Sequence, residues 1–149
     1  MTPRLPPAKR LRKLDRRADD RGDLAERIVS EMYGLRHVGD AGGWYDAVLE
    51  STGTKYQVKS TAEDGATSGS AEFRLWETDH RSLVGSDAQG TAWYTFVLFS
   101  KRDGLQEVRR MKPSTVTKIV QEFGGWNESG HRDKNSRQVK LPQELVMNR

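Results

Sequence analysis

The chain of 149 residues contains no cysteine, which excludes a disulfide framework and a thiolate metal site. It has no apolar run near the roughly 20 residues that a membrane-spanning helix needs. Its first apolar stretch is interrupted by proline and arginine, unlike the core of a signal peptide. A glycine-rich phosphate loop is also missing. We therefore expect a cytoplasmic protein that does not enter a membrane.

Histidine is scarce as well, and His37, His80 and His131 show no zinc-ligand spacing. No zinc site is therefore expected. Ser60 and Thr61 have no evident histidine partner for nucleophilic catalysis. The chain has the length of one domain, and 34% of its residues are hydrophobic and 31% are charged. Such a chain is large enough to bury a core of its own.

The positive charge is concentrated at one end of the chain, whose formal net charge is +4. Residues 1–17 hold seven basic side chains against one acidic one, with three prolines among the first seven residues. We expect residues 1–18 to form a basic, flexible arm and residues 19–149 to form a single α/β domain. Such an arm is typical of a DNA-binding protein, and the alternative is a disordered solubilising tail. The side chains expected to contact phosphate are Lys9, Arg10, Arg12, Lys13, Arg16 and Arg17.

Two runs of alternating polarity flank the Thr-Gly pair at 52–53, which predicts a β-hairpin. With a two-residue loop, Val48 faces Gln57 and Asp46 faces Lys59. Side chains alternate between the two faces of a strand with a period of two. The predicted polar face carries Asp46, Val48, Glu50, Lys55, Gln57 and Lys59. The predicted core face carries Tyr45, Ala47, Leu49, Tyr56 and Val58.

A carboxylate, an amide and an amine that converge on one face suit a hard cation. Mg²⁺ usually binds through one or two carboxylates together with water and substrate phosphate. Asp46 and the Gln57 side-chain carbonyl are candidate ligands, and Lys59 can orient a water or stabilise charge on a phosphate. The alternative is a solvated strand face with two cross-strand ion pairs, Glu50–Lys55 and Asp46–Lys59.

A helix is predicted over residues 20–33, because apolar side chains recur every four residues from Leu24 and Gly34 follows as a stop. Glu26 lies near the edge of this apolar stripe. It has two candidate roles. It can close a capping box with Asp23 as the N-cap, or it can be a second acidic group turned toward the hairpin.

This order of helix, hairpin and polar residues resembles the PD-(D/E)xK nuclease superfamily, and the pattern is closest to that of the archaeal-type Holliday-junction resolvases. The likeness covers about residues 20–61 in detail. Tyr45 stands where the family name has proline, and Gln57 replaces the usual acidic residue. The matching segments are Arg21-Gly22-Asp23-Leu24-Ala25-Glu26, Trp44-Tyr45-Asp46 and Gln57-Val58-Lys59-Ser60-Thr61.

The resemblance implies a restriction-endonuclease-like α/β domain, with a central mixed β-sheet flanked by helices. It implies a metal-dependent DNA endonuclease that hydrolyses phosphodiester bonds in duplex or branched DNA, and it leaves a homodimer open. Glu26, Asp46 and Gln57 would hold Mg²⁺ or Mn²⁺, and Lys59 would complete the catalytic set. Two alternatives remain: a non-cleaving DNA-binding protein on the same fold, and an assembly module with a degenerate site.

The rest of the chain completes the α/β pattern. Strands are predicted over 71–76, 92–99 and 106–111, and helices over 77–84 and 113–123, with a small element over 141–146. The strand over 92–99 is strongly apolar, so we expect it at the centre of the sheet. Further phosphate contacts are expected from Arg74, Arg132, Lys134 and Arg137.

Overall fold

The computed structural model describes residues 3–63, 71–100, 104–128 and 136–149, without the side chains of 104–106. The helices in these ranges are α1 (Ala8–Arg17), α2 (Arg21–Tyr33), α3 (Glu77–Asp87), α4 (Pro113–Phe123) and α5 (Gln143–Met147). The strands are β1 (Arg36–His37), β2 (Ala47–Leu49), β3 (Thr54–Ala62), β4 (Glu72–Trp76), β5 (Ala92–Ser100), β6 (Gly104–Met111) and β7 (Gln138–Pro142). A short 3-10 helix, Gly39–Gly42, follows β1.

Five strands form one mixed sheet in the order β1-β2-β3-β5-β6, while β4 and β7 form a separate antiparallel pair. β3 and β5 run parallel, with Gln57 beside Tyr94 and Lys59 beside Phe96. The other neighbours in the main sheet are antiparallel. β5 lies between β3 and β6 and is buried over most of its length. The expected fold class is therefore confirmed, and residues 92–99 form an interior strand of the sheet, although β3 is at its centre.

Alternating side chains of β5 enter two hydrophobic clusters on opposite faces of the sheet. Val97 and Phe99 pack with residues of α1, α2 and β3. Phe96 and Leu98 pack with residues of α3, α4, α5 and the β4–β7 pair. Because residues two apart share a face, the sheet is covered on both sides. The hairpin is covered as well, and Gln57, on its predicted polar face, is only 5% exposed.

α2 begins and ends within a residue of its predicted bounds, but its cap is not the predicted one. Asp20 is the N-cap, and its side chain accepts a hydrogen bond from the Asp23 N–H at 2.8 Å. Asp23 already lies inside the helix, where its carboxylate accepts from the Asp19 N–H at 3.0 Å. The predicted capping box is therefore wrong, and Glu26 takes no part in the cap. Gly34 ends the helix in the left-handed conformation, with φ 67°.

The hairpin register also differs from the prediction. The pairs are Ala47 with Tyr56, Val48 with Lys55, and Leu49 with Thr54. A two-residue loop of type I′ or II′ needs positive φ at its first central residue, which would be Thr52. Among the described residues only glycines have positive φ, including Gly53 at 73°, so a four-residue loop forms instead. The pairing ends at Ala47, and the Asp46 N–H donates to the Tyr56 carbonyl, so the predicted register with Val48 opposite Gln57 and Asp46 opposite Lys59 is not found. A shift of two residues keeps Val48 and Lys55 on one face, as predicted.

The basic arm contains a docked helix, where a flexible segment was expected. On α1, Leu14 is 6% exposed and packs in one cluster with Ile28 of α2. Arg10 Nε also donates a hydrogen bond to Glu31 of α2 at 2.6 Å. The prolines do not oppose this helix, because they precede it and Pro7 is its N-cap. Burial of Leu14 therefore holds α1 in a fixed position on α2.

We predict that Leu14→Ala lowers the free energy of unfolding by about 2–3 kcal/mol, at the lower end of the range for buried leucine. Urea unfolding followed by circular dichroism measures this change. Leu145→Ala is the matched control on α5, where the side chain is 42% exposed, and should change stability by less than about 0.5 kcal/mol. Equal effects of the two substitutions would mean that α1 does not dock on α2.

Candidate active site

Asp46 lies just before β2 and is fixed by backbone and side-chain hydrogen bonds. Its N–H donates to the Tyr56 carbonyl at 2.8 Å, and its own carbonyl accepts from the N–H groups of Val38 (2.9 Å) and Gly39 (3.1 Å). Its carboxylate Oδ2 accepts from the Val58 N–H at 2.8 Å. The carboxylate is thereby held against β3 at Val58, which lies between Gln57 and Lys59 in the sequence.

The charge on Asp46 is only partly compensated by its surroundings. Burial is the main cause that raises the pKa of this carboxyl, and the negative charge of Asp79 on α3 raises it further. The Val58 N–H, the positive charge of Lys59 and the nearby His37 act in the opposite direction. The net shift of the pKa is upward, so the ionised form of this carboxyl is less favourable in the folded protein than in water.

Glu26 approaches the same place from α2. Its Oε1 lies 2.8 Å from Nε2 of His37, a residue of β1, which pairs with β2. Burial raises the pKa of Glu26, the charge of Asp46 raises it further, and His37 lowers it. An appreciable effect of one carboxylate on another requires that they lie close together. Glu26 and Asp46 therefore lie within electrostatic range of each other.

The structure relates two of the other three predicted catalytic residues to Asp46. Glu26 and Lys59 each lie within electrostatic range of it. Gln57 lies on β3, two residues before Lys59, and is buried. Lys59 is half-buried on β3. Two carboxylates, one amide and one amine are groups that can hold a cation and bring positive charge to a phosphate.

Two residues near Asp46 were missed by the sequence reasoning. His37 was set aside because it shows no spacing with other histidines, but its partner is Glu26, eleven residues earlier. The sequence did contain a signal for this contact. Gly34 ends α2, and β1 follows at once, so the chain turns back and brings His37 alongside the helix. Asp79 lies in the first turn of α3, and no local pattern marks its proximity to Asp46.

The predicted phosphate contacts on α1 are largely available to solvent. Arg10 is the exception among its six basic residues, since it is paired with Glu31. Arg132 and Lys134 lie outside the described residues. The exposed basic side chains of α1 are Lys9, Arg12, Lys13, Arg16 and Arg17.

The other two predicted contacts are placed differently from expectation. Arg74 was expected on the strand next to the hairpin, but β4 pairs with β7 outside the main sheet. Its guanidinium is exposed and lies 5.9 Å from the centre of the Trp76 ring. Arg137 forms two hydrogen bonds with Glu77, at 2.8 and 2.6 Å. Arg137 is therefore engaged in an ion pair within the protein.

The mixed sheet flanked by helices is that of a restriction-endonuclease-like fold. Residues 12–148 match the PD-(D/E)XK nuclease superfamily domain, and the chain belongs to this superfamily. The predicted family is thus confirmed, and the match extends from the middle of α1 into α5 and just beyond it. No curated protein matches the chain significantly. Among the helices of the described ranges, none combines the length and apolar character needed to cross a membrane.

We predict that Asp46→Asn raises the free energy of unfolding at neutral pH in a chelator-containing buffer. The amide removes a buried charge and can still accept the Val58 N–H. Because the folded-state pKa is raised, wild-type stability falls as pH rises from the unfolded pKa, about 4, through the folded one. The gain from the substitution is therefore complete above the folded pKa and absent below about pH 4.

Urea unfolding across a pH series measures this gain. Asp15→Asn, at an exposed position of α1, controls for the loss of one negative charge and should change stability by less than about 0.5 kcal/mol. An Asp46→Asn variant no more stable than the wild type at neutral pH would contradict the argument from burial.

Proposed function

We propose that this protein is a metal-dependent DNA endonuclease that hydrolyses phosphodiester bonds in duplex or branched DNA. The proposal rests on one observation: Glu26 and Asp46, two carboxyls from separate elements, lie within electrostatic range of each other, and Lys59 is within range of Asp46. The pKa of each carboxyl is raised, chiefly by burial. A bound divalent cation would remove this electrostatic cost, so the arrangement is better suited to a loaded site than to an empty one.

The donor set fits Mg²⁺ or Mn²⁺, which prefer oxygen ligands. Glu26 and Asp46 would supply two carboxylates, and the Gln57 side-chain carbonyl would supply a neutral oxygen. A divalent cation held there would polarise the phosphate and lower the pKa of a bound water. Because an amide carries no net charge, we expect weaker binding than with three acidic ligands.

The protein groups have distinct roles in this proposal. The Val58 N–H holds Oδ2 of Asp46 and so sets the direction of the other carboxylate oxygen. Lys59 brings a positive charge to the phosphate oxygen on which negative charge builds, or orients the attacking water. The exposed basic side chains of α1 would attract the phosphate backbone without reading its sequence.

A second candidate function rests on Gln57. The residue is buried where the superfamily usually has an acid, and an amide there weakens the attraction for a cation. A non-cleaving DNA-binding protein on the same fold is the alternative that this feature favours. Cleavage assays and metal binding separate the two functions.

Cleavage of linear, flapped and four-way DNA, assayed in parallel with Mg²⁺ and Mn²⁺, tests the proposal and identifies the preferred substrate. We predict that Asp46→Asn and Lys59→Ala each reduce cleavage by at least about 100-fold, because each removes charge from the reacting centre. Glu50→Gln is the matched control, since Glu50 is an exposed carboxylate of the same hairpin, and its cleavage rate should not change.

Gln57→Glu decides between the two candidate functions. Faster cleavage by this variant, or cleavage by the variant alone, supports a nuclease site weakened at that position. If neither the wild type nor Gln57→Glu cuts any substrate and neither binds Mn²⁺, the endonuclease proposal is wrong.

The role of α1 is tested by replacing its five exposed basic residues with glutamine while Leu14 is retained. Each phosphate neutralised contributes about −0.9 to the slope of log affinity against log salt. We predict weaker DNA binding across sequences and a slope flattened by roughly 2–4 units. Lys118→Gln, at an exposed position of α4, is the single-charge control. An unchanged slope would mean that α1 does not contact DNA.

A further inference from the structure

Asp23, Glu26 and His37 form a compact cluster beside the Asp46 site. One ligand atom from each residue lies within 4.8 Å of the other two. Nε2 of His37 is 2.8 Å from Oε1 of Glu26 and 3.8 Å from Oδ1 of Asp23. Two donors held at about 2.0–2.1 Å by a tetrahedral ion lie about 3.3–3.5 Å apart. The observed separations bracket this value, so a metal could bind with only small side-chain movements.

The local fold explains why these three side chains meet. Asp23 and Glu26 are three residues apart on α2, so both project from the same side of the helix. Gly34 ends α2 in a left-handed turn, and the chain returns at once through β1, which carries His37. All three donors therefore come from one short stretch of chain, independently of the hairpin that carries Asp46.

Neighbouring groups orient the Asp23 carboxylate. Its Oδ2 accepts hydrogen bonds from Arg27 Nε at 2.9 Å and from the Asp19 N–H at 3.0 Å. Its Oδ1 is the oxygen that lies 3.8 Å from His37. Hydrogen bonds from neighbouring groups to a metal ligand fix its direction, and their loss typically lowers metal affinity by about 10–100-fold. The cluster is thus an oriented set of mixed donors, unlike a patch of mobile surface carboxylates.

The cluster adjoins a cavity of about 280 Å³ that is lined by five carboxylates and two glycines. The negative lining raises the local concentration of cations. One of the glycines, Gly39, has φ +62°, and a Cβ there would lie 3.8 Å from Nε2 of His37. At this distance a Cβ would make only ordinary van der Waals contact with the ring, and the positive φ is what favours glycine here.

We propose that Asp23, Glu26 and His37 form a second cation site, selective for a borderline divalent metal such as Zn²⁺ or Co²⁺ over Mg²⁺. Imidazole is a good ligand for borderline metals, whereas Mg²⁺ prefers oxygen alone. Three protein ligands beside an open cavity leave a fourth position for water or a phosphate oxygen. Glu26 would be common to this site and the nuclease site, but metal binding here does not depend on cleavage.

The test is titration of the full-length, metal-free protein with Co²⁺ and Zn²⁺, followed by visible absorption and calorimetry. We expect one Co²⁺ per chain with a four-coordinate spectrum, displaced by Zn²⁺ but not by excess Mg²⁺. His37→Gln should lower Zn²⁺ affinity at least about 100-fold, since a ligand should matter more than the groups behind it. Asp46→Asn should keep the Co²⁺ spectrum, which separates this site from the proposed nuclease site.

Two controls distinguish a ligand from a structural role. Asp40→Asn removes a carboxylate of the same cavity outside the cluster and should leave Zn²⁺ affinity nearly unchanged. His37→Gln keeps an N–H donor for Glu26, so its loss of Zn²⁺ binding reports the imidazole rather than the hydrogen bond. Equal Zn²⁺ affinity of His37→Gln and the wild type would overturn the proposal.

Nuclear magnetic resonance of the wild type decides the matter even if a variant fails to fold. Zn²⁺ should shift the imidazole nitrogen resonances of His37. Those of His80 should stay in place, because its ring is already bonded to Tyr94 Oη and Thr117 Oγ1, both at 2.8 Å. Unmoved His37 resonances in the presence of excess Zn²⁺ would overturn the proposal.

Discussion

The hydrogen bond from the Val58 N–H to the Asp46 carboxylate joins the candidate site to the frame of the sheet. β2 is three residues long, so β3 extends past it on that side, and a buried N–H there needs another acceptor. Asp46 provides one. The side chain of Val58 packs in the core with α2. The Asp46 carboxylate therefore completes the hydrogen bonding of β3, and the same bond fixes the position of its charge in the candidate site. The geometry of the candidate site thus depends on the stability of the sheet.

The location of the site follows from the two layers that cover the sheet. α2 and α3 pack on opposite faces of β5 and β3, so side chains from both can approach each other only at an edge of the sheet. Asp46 lies just before β2, within reach of both layers. The charge of Asp79 of α3 raises the pKa of Asp46, and the charge of Asp46 raises the pKa of Glu26 of α2. The parallel pairing of β3 with β5 buries the opposite side of the hairpin. The charges of Glu26 on α2, Asp46 before β2 and Asp79 on α3 therefore influence one another at this end of the hairpin.

The parts of the fold that local chemistry determines could be predicted from the sequence. α4 has its predicted bounds, and Gly34 and Gly124 end their helices in left-handed conformations. The division of the paired hairpin residues between two faces was predicted correctly, because alternation does not depend on register, but Val48 and Gln57 on the predicted polar face are buried. The register itself was wrong, since it depends on whether Thr52 adopts positive φ. The docking of α1 through Leu14 was missed because the contact joins two helices and leaves no pattern within either.

The candidate site was predictable to the same extent. Asp46, Lys59 and Glu26 stand in an order that a short motif can reveal. His37 and Asp79 come close only through the pairing of β1 and the packing of α3, which no spacing in the sequence encodes. Tertiary contacts thus added the groups that modify the site, while the sequence pattern identified the groups at its centre.

The amide at Gln57 is best understood as part of the charge balance of the site. A carboxylate at this buried position would be a third negative charge beside two carboxyls whose pKa values are already raised. Like charges in a buried setting destabilise one another, so the amide favours the metal-free fold and weakens the pull on a hard cation. Asp23 and Asp79 are further acidic groups near these carboxyls, and both are partly exposed. In the proposed second site, Asp23 and His37 would supply cation affinity that the amide of Gln57 does not, and the imidazole would favour a borderline metal.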